Sequence, residues 1–412
     1  MCLLAIGVGS VIGLLNLVPG LHISVIVAGL LPLLGLEGLA PSCLVVSALG
    51  AGLATSTLAK TFQPTPRALL ATATPEQVMA YGGQGRRAIA IQVNAIWVGL
   101  VVVLAITIPL ALVHLINAQE LTKFFRQVLK PVGLVVAVGF VVLTVFNAGN
   151  KAATVAVVIL GSLLGFVALN IEGLRGNSAA IAPLLAGVFA IPGLLVVGLQ
   201  RGRLARFPHQ GPIHSPTGLD QQSSVWGSLS GMVMAMVAGL GAGSAVATLS
   251  PRGISHEAYL AAHTASESAN HIYTVVLFVL VGVTHSGTGI ALRSAMPQSD
   301  TLAGVILLIS VILGLRAGTG VTNRLLNRYV DFVTGLPQRS LAWAVLFLTL
   351  AIVSAETGFT GLIVAITAAT LGLAARFNLV PNQASLAVLT GPVIIGQMGL
   401  APYLGSLLGV LH

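Results

Sequence analysis

Three ionisable side chains recur at four-residue intervals in an apolar stretch of the second half: His263, Glu267 and His271. In a helix this spacing places them on one face, and Asn270 lies beside them. Ionisable groups inside a membrane segment are costly and usually face a cavity or a relay. Histidine titrates near physiological pH, which suits proton coupling. The pattern predicts an ion-coupling face formed by these four residues, with H⁺ or Na⁺ as the coupling ion.

Two other interpretations of the same face remain open. The segment could be partly interfacial, so that the polar side chains simply face water. Histidine and glutamate at this spacing can also ligate zinc. However, the sequence contains no HExxH motif and no evident remote third ligand. We therefore predict neither a metal nor a cofactor.

A second kind of candidate site lies where apolar segments are interrupted. Gly9–Ser24 contains the helix-breaking pair Pro19-Gly20, and Gly227–Ser244 contains a glycine cluster at a matching place. Backbone freed inside a membrane must be buried in protein or line a wet cavity. Paired interrupted segments in two halves indicate a transporter's substrate site. The predicted substrate-binding residues are Asn16, Pro19, Gly20, His22, Ser24, Gly239, Gly241, Gly243 and Ser244.

The role of these glycines has an alternative. Small residues commonly serve only to pack membrane helices closely. Glycines at a break can instead let backbone N–H groups reach an anionic substrate, helped by a half-helix N-terminus. The polar residues beside the breaks favour the second interpretation.

Composition defines the class of protein. The chain has 412 residues, of which 56% are hydrophobic and 7% charged, and its mean hydropathy is +0.99. Soluble domains are about 25% charged, so the chain is predicted to be an all-α, multi-pass protein of the cell membrane. The net charge of +9 comes from basic residues in loops. It indicates positive-inside topology and contact with anionic lipid headgroups, with no nucleic acid as partner.

Two polar segments divide the apolar runs. Lys60–Arg87 and Gln200–Ser224 are both basic, which predicts that both are cytoplasmic. A third segment, Asn117–Lys130, lies between these two in the sequence. It is amphipathic and is predicted to lie on the membrane surface. The other predicted spans include Pro41–Leu58, Ala88–Ile116, Val132–Phe146, Ala152–Leu169, Ala179–Leu199, Ile254–Val283, Thr301–Leu315, Leu341–Val353, Gly358–Ala374 and Ser385–Met398.

Internal similarity predicts two homologous halves. Residues 1–199 form the first transmembrane repeat, 200–225 a polar linker and 226–412 the second repeat. The interrupted segments match at an offset of 218 to 219. Leu129–Gly165 aligns with Leu336–Gly372 at 207, and Leu185–Gly193 resembles Leu389–Gln397. The repeats are inverted if each interrupted segment is a hairpin that returns to its own side, and parallel if it is a broken span.

Several short motifs resemble a known family. PGLH at Pro19–His22 and AGLG at Ala238–Gly241 resemble the paired PGxG signatures of the TctA family, the large membrane subunit of tripartite tricarboxylate transporters. ESANHI, which begins at Glu267, resembles that family's E-x-x-N-N stretch, and GGQGRRAI at Gly82–Ile89 resembles its G-x-G-x-x-A-L loop. The match spans most of the chain.

The chain also departs from the family pattern. It is shorter than typical members and resembles a compact, archaeal-type branch. His22 stands where glycine is usual, Ala238 replaces the second proline, and His271 replaces the second asparagine. The resemblance implies a small membrane subunit and an extracytoplasmic binding protein as partners.

Together these observations predict a secondary-transporter-like fold with broken or re-entrant helices. The predicted function is a permease that moves a small organic anion, most simply a carboxylate, and that is driven by an ion gradient. No nucleotide-binding GxxxxGK[ST] motif occurs. The alternatives are a membrane-embedded enzyme that uses the His263/Glu267/His271 face and a passive channel.

Overall fold

The computed structural model describes residues 1–18, 37–63, 74–171, 174, 180–199, 207–211, 218–236, 246, 254–282, 289, 292–293, 295–296 and 301–408. These residues are mostly helical, which confirms the predicted class. The helices are α1 (Cys2–Gly13), α2 (Leu39–Thr61), α3 (Pro75–Tyr81), α4 (Gly85–Asn147), α5 (Lys151–Asn170), α6 (Ile181–Leu199), α7 (Gly218–Ala235), α8 (His256–Val281), α9 (Thr301–Leu325), α10 (Tyr329–Gly335), α11 (Gln338–Phe377), α12 (Ala387–Gln397) and α13 (Ala401–Leu408).

Within the described part of the chain, six helices are long and apolar enough to cross a membrane. They are α2, the Gly85–Val113 part of α4, α5, α6, α9 and α11. A seventh candidate is the pair formed by α12 and α13, which meet at a bend of 116°. The chain is therefore an integral membrane protein, as its composition predicts.

Local sequence explains where two helices begin or break, of which α8 is not among the six candidate spans. Helix α8 begins after Ser255, whose hydroxyl accepts a hydrogen bond from the N–H of Ala258, and it ends at Gly282 with φ of 67°. Helix α11 is interrupted by Gly358, where φ is 63°, a value that suits glycine. The predicted boundary between the spans Leu341–Val353 and Gly358–Ala374 falls at this break.

Other boundaries differ from the prediction. Helix α2 continues to Thr61, so Lys60 belongs to its last turn and not to the polar loop that follows. Helix α7 begins at Gly218, within the segment predicted as linker. Helix α4 runs without interruption through the predicted surface segment 117–130, between Pro109 and Pro131.

The buried apolar side chains form two packing units. The first unit consists of α1, α2, the beginning of α4, α7, α8 and α9, which share one large core. The second consists of the end of α4, α5, α6, α11 and α12. Each unit thus draws helices from both halves of the sequence. Val18 directly precedes Pro19, and Met234 lies five residues before Gly239. Both pack against cores of the second unit.

Close glycine contacts give the directions of the helices in the first unit. A Cβ added at Gly9 or Gly13 would meet the backbone of Leu44 or Ala48, so α1 and α2 run in the same direction. Helix α2 therefore begins at the end of the unit where α1 begins. Helices α7 and α8 are also parallel, because Gly227 faces Ala262 and Gly231 faces Ser266.

Helices α2 and α8 run in opposite directions. Lys60, at the end of α2, contacts Glu267 in the first half of α8. Residues nearer the beginning of α2, from Cys43 to Ala54, share a core with the second half of α8, from Ala269 to Val281. The end of α2 and the beginning of α8 therefore lie on the same side of the first unit.

The two polar segments meet on this side. The side chain of Gln210 accepts a hydrogen bond from the N–H of Gly85 at 2.7 Å and donates to the carbonyl of Ala80 at 3.1 Å. The N–H of Gly211 donates to Gly83. The described part of the 200–225 linker is thus attached to the loop that precedes α4.

Candidate functional site

A single accessible stripe runs along α8. Between Ala258 and Phe278 every residue is buried except Tyr259, His263, Glu267 and His271. The four-residue spacing places them on one face. The structure therefore brings three of the four predicted ion-coupling residues together. It places the fourth, Asn270, among the buried residues, with an exposed fraction of 8%.

A shorter stripe lies on α2. Between Val45 and Phe62 only Ser56 and Lys60 are partly accessible. Both are polar, while most of the surrounding positions are apolar or small. We use the name polar cleft for the two stripes together, namely Ser56, Lys60, Tyr259, His263, Glu267 and His271.

An ion pair joins the two stripes. The Lys60 Nζ lies 2.7 Å from Oε1 and 2.6 Å from Oε2 of Glu267, so one ammonium group contacts both carboxylate oxygens. The exposed fractions are 33% for the lysine side chain and 23% for the glutamate side chain. His263 and His271 lie one helical turn on either side of Glu267. A carboxylate in this apolar context needs a partner, and Lys60 supplies it.

A second ion pair closes the end of α8. The Arg87 guanidinium lies 2.7 Å from the Glu257 carboxylate, and the exposed fractions are 26% and 27%. Glu257 occupies the first turn of α8, where the helix dipole favours a negative charge. Glu267 lies almost three turns further along and receives no such stabilisation. The two ion pairs are similar in length and exposure, but the helix dipole stabilises only the Glu257 carboxylate.

Close backbone approach positions α8. A Cβ at Gly231 of α7 would lie 2.1 Å from the carbonyl oxygen of Ser266, and a Cβ at Gly99 of α4 would lie 2.4 Å from the Ser268 hydroxyl. Glycine at both places lets α7 and α4 pack directly on α8. These two neighbours cover the sides of α8 away from the cleft, which leaves the stripe as the accessible face.

The last described residues before the first interruption are held by hydrogen bonds. Asn16 is 3% exposed, and its Nδ2 donates to the Gly52 carbonyl of α2 at 3.1 Å. Its Oδ1 is buried and accepts no hydrogen bond from the described residues. Nearby, the Tyr329 hydroxyl donates to the carbonyl of Leu17. Burial raises the pKa of this phenol, so the hydroxyl keeps the proton that it donates.

The other predicted substrate-binding residues lie outside the described part of the chain. They are Pro19, Gly20, His22, Ser24, Gly239, Gly241, Gly243 and Ser244. Among the residues that the structure does describe, no three histidine, cysteine, aspartate or glutamate side chains are grouped to hold a metal ion.

Sequence reasoning missed Lys60 and Ser56. It ended the predicted span at Leu58 and assigned the lysine to a basic loop. One signal was available: Ser56 and Lys60 are four residues apart, which is the spacing of a helical face. The partner of the lysine, 207 positions away, could not be inferred from local pattern.

A known protein family matches most of the chain. The model of the tripartite tricarboxylate transporter TctA family matches residues 1–386. The chain belongs to the TctA family. It is therefore a membrane component of a tricarboxylate transporter, which points away from an enzyme. The comparisons with curated proteins and with solved structures found no match.

Proposed function

We propose that this TctA protein is a permease that carries a tricarboxylate anion past the polar cleft, driven by an ion gradient. The observation that carries the proposal is the Lys60–Glu267 pair, which joins the partly accessible polar stripes of two otherwise buried helices. Membrane proteins retain such groups chiefly along substrate or ion pathways. The flanking histidines favour H⁺ over Na⁺ as the coupling ion.

We also propose that the two interrupted segments contribute the substrate site. Asn16 supports this, because its buried Oδ1 is unsatisfied by the described residues and lies just before the first interruption. Buried polar atoms in proteins are nearly always hydrogen-bonded. A ligand, a water molecule or backbone of the interrupted segment would satisfy this oxygen.

Transport is tested with purified protein in liposomes. Vesicles loaded with unlabelled citrate should accumulate external labelled citrate by counterflow, and an inward proton gradient should drive net uptake. Uptake that no ion gradient accelerates would favour the passive channel. Conversion of citrate to another compound would favour the enzyme. Vesicles that do neither, alone or with the accessory subunits, would contradict the proposed function.

We further propose that the halves are inverted repeats, residues 1–199 and 226–412. The glycine contacts of α1 on α2 recur between α7 and α8 at one common offset of 218. The matched pairs are Gly9 with Leu44 and Gly227 with Ala262, then Gly13 with Ala48 and Gly231 with Ser266. Since α2 and α8 are antiparallel, the repeats that contain them would be related by an axis in the membrane plane.

The second packing unit supports the same relation. A Cβ at Gly165 of α5 would meet Val388 and Pro392 of α12, and a Cβ at Gly372 of α11 would meet Val188 and Pro192 of α6. The two glycines differ by 207 and their partners by 200. These contacts favour an alignment of α6 with α12 that is shifted by four residues from the match of Leu185–Gly193 with Leu389–Gln397.

The side carrying both basic segments is proposed to be cytoplasmic. Their attachment through Gln210 supports a common side, and their charge supports the orientation. Cysteine introduced at Ser215, in a background without Cys2 and Cys43, should not react with an impermeant reagent outside intact cells. Ready labelling would reverse the orientation.

A small membrane subunit and an extracytoplasmic binding protein are proposed as partners, as the tripartite family implies. Tagged protein isolated from its native membrane should retain the small subunit in mild detergent. A chain that transports citrate at the full rate alone would contradict the need for either partner.

A further inference from the structure

We propose that Glu267 occupies the carboxylate-binding position of Lys60 and exchanges with the substrate, taking up a proton as it leaves. This inference deepens the proposed function and rests on it. It adds Lys60 as a substrate-binding residue and assigns the coupling proton to a particular atom group.

The carboxylate that Lys60 binds in the structure is chemically similar to the carboxylates of the substrate. The Lys60 ammonium contacts both oxygens of a carboxylate at 2.6 and 2.7 Å, which is the geometry of a charge-assisted contact. A tricarboxylate presents the same group. Among the described residues that form the polar cleft, Lys60 is the only lysine or arginine. A substrate carboxylate that reaches the cleft therefore finds its natural partner already occupied by Glu267.

An arriving substrate carboxylate also changes the balance of charge around Lys60. An extra anion beside the Glu267 carboxylate would leave two negative groups with one ammonium in a cleft of limited access to water, which is costly. If the Glu267 carboxylate accepts one proton from the aqueous phase and a substrate carboxylate oxygen replaces it on Nζ, the charge of that one substrate carboxylate is balanced. One carboxylate and one proton then enter together.

The charged and titratable side chains near Glu267 come from several helices. The charged or titratable side chains acting on it are Lys60 of α2 and His263 and His271 of α8 itself. Of the other helices packed on α8, α4 contributes Arg87, which is engaged by Glu257. Helix α7 contributes Asp220, seven residues before Gly227 and hence near the beginning of α8. Helix α3 contributes Glu76, which acts on Tyr259. Helix α9 contributes Arg316 and Arg324, which are exposed, and Arg86 of α4 is partly exposed. Lys60 is the partner of Glu267 that the described residues show.

The test measures citrate binding to the full-length protein in lipid nanodiscs by calorimetry, in two buffers with different ionisation enthalpies. The difference between buffers gives the number of protons taken up per citrate. For the wild type we expect about one proton more than for Glu267→Gln. The protonation of citrate itself is common to both proteins and cancels. We expect Lys60→Gln to weaken citrate binding by about 30-fold or more, as for loss of one member of a buried charge pair.

The matched control is Glu257→Gln, which removes the carboxylate of an ion pair of similar length and exposure outside the polar cleft. It should leave the proton count and citrate affinity as in the wild type. A Lys60→Met/Glu267→Leu double variant removes both charges without leaving either unpaired. If Lys60→Gln proves unstable, the double variant should still fail to bind citrate.

Three outcomes would overturn the exchange. They are citrate binding by the wild type without additional proton uptake, retained affinity in Lys60→Gln or in the double variant, and a proton count that is lost in His271→Asn but kept in Glu267→Gln. Each leaves the proposed transport of tricarboxylates intact. Failure of the wild type to bind citrate would instead contradict the proposed function and the exchange together.

Discussion

Helices α2 and α8 have matching neighbours but very different chemistry. Each packs through backbone contacts against a glycine-containing helix that runs parallel to it, α1 in one case and α7 in the other. The positions of the α8 stripe, however, have no polar counterparts in α2, whose shorter stripe, Ser56 and Lys60, lies at other positions. At the offset of 218, Tyr259, His263, Glu267 and His271 correspond to Pro41, Val45, Leu49 and Leu53. Shared features therefore belong to the scaffold, and the features found in one half alone are candidates for function.

The largest effect is expected when the charges of the polar cleft are exchanged. Lys60→Glu combined with Glu267→Lys keeps an ion pair between α2 and α8 but moves the cation to the other helix. Since substrate recognition needs the ammonium at its present place, citrate transport should fall about 100-fold or more, equivalent to roughly 3 kcal/mol in the transition state. Counterflow in liposomes gives the measurement.

The corresponding exchange of Arg87→Glu with Glu257→Arg is the control. It places an unfavourable positive charge in the first turn of α8, a cost of about 0.3–1 kcal/mol. Transport by this variant should nevertheless remain within about 3-fold of the wild type. Equal losses in the two exchanged proteins would mean that α8 needs its ion pairs only for assembly.

The scaffold should respond alike in both halves. A methyl group at Gly13 would lie 2.6 Å from the Ala48 carbonyl oxygen, and one at Gly231 would lie 2.1 Å from that of Ser266. Gly13→Ala and Gly231→Ala should each destabilise the protein by about 1–3 kcal/mol through overpacking. Thermal unfolding in detergent measures this. Gly139→Ala, which meets nothing within 4 Å, should be neutral or slightly stabilising.

The sequence predicts the scaffold better than the site. Apolar runs and glycine breaks predict most of the helices and the interruption at Gly358, because length and helix-breaking residues are local signals, but predicted spans such as Ile254–Val283 are not among the six candidates. For the proposed repeat, the glycine contacts favour an α6–α12 alignment that is shifted by four residues from the sequence match, and a slip of about one turn keeps the same helical face. The α8 stripe was evident from its spacing. Lys60 was not, because only the fold brings α2 against α8.

Asn16 provides a test between scaffold and function. Its position corresponds to Met234 at the offset of 218. Asn16→Leu removes one hydrogen bond, to Gly52, and also the unsatisfied Oδ1, so the net loss of stability should be about 1 kcal/mol or less. If Asn16 contacts the substrate, transport should fall about tenfold, as for the loss of one hydrogen bond to a charged ligand.

The control for Asn16 is Thr55→Val. It removes the hydrogen bond from Thr55 to the Gly13 carbonyl at the same α1–α2 contact and leaves Asn16 in place. Transport by this variant should follow its stability. A tenfold loss in Thr55→Val as well would show that transport responds to the packing of α1 and not to Asn16.

The smallest and most specific effect is expected at His271. This residue lies one turn from Glu267 on the accessible stripe, and His271→Asn gives the residue usual in the family pattern. An imidazole can gain a proton within the pH range in which transport is measured, and asparagine cannot. As a cation, it would oppose proton uptake by the neighbouring carboxylate. Removing it should therefore raise the ratio of transport at pH 6 to transport at pH 8 by a few fold, with little change in the unfolding temperature.

His256→Asn, on the exposed first turn of α8, should leave that ratio unchanged. A ratio that falls in His271→Asn would mean that the imidazole itself delivers the coupling proton. Glu267 would then remain the ion-pair partner of Lys60 throughout. The coupling group would be His271, which corresponds to Leu53 of α2.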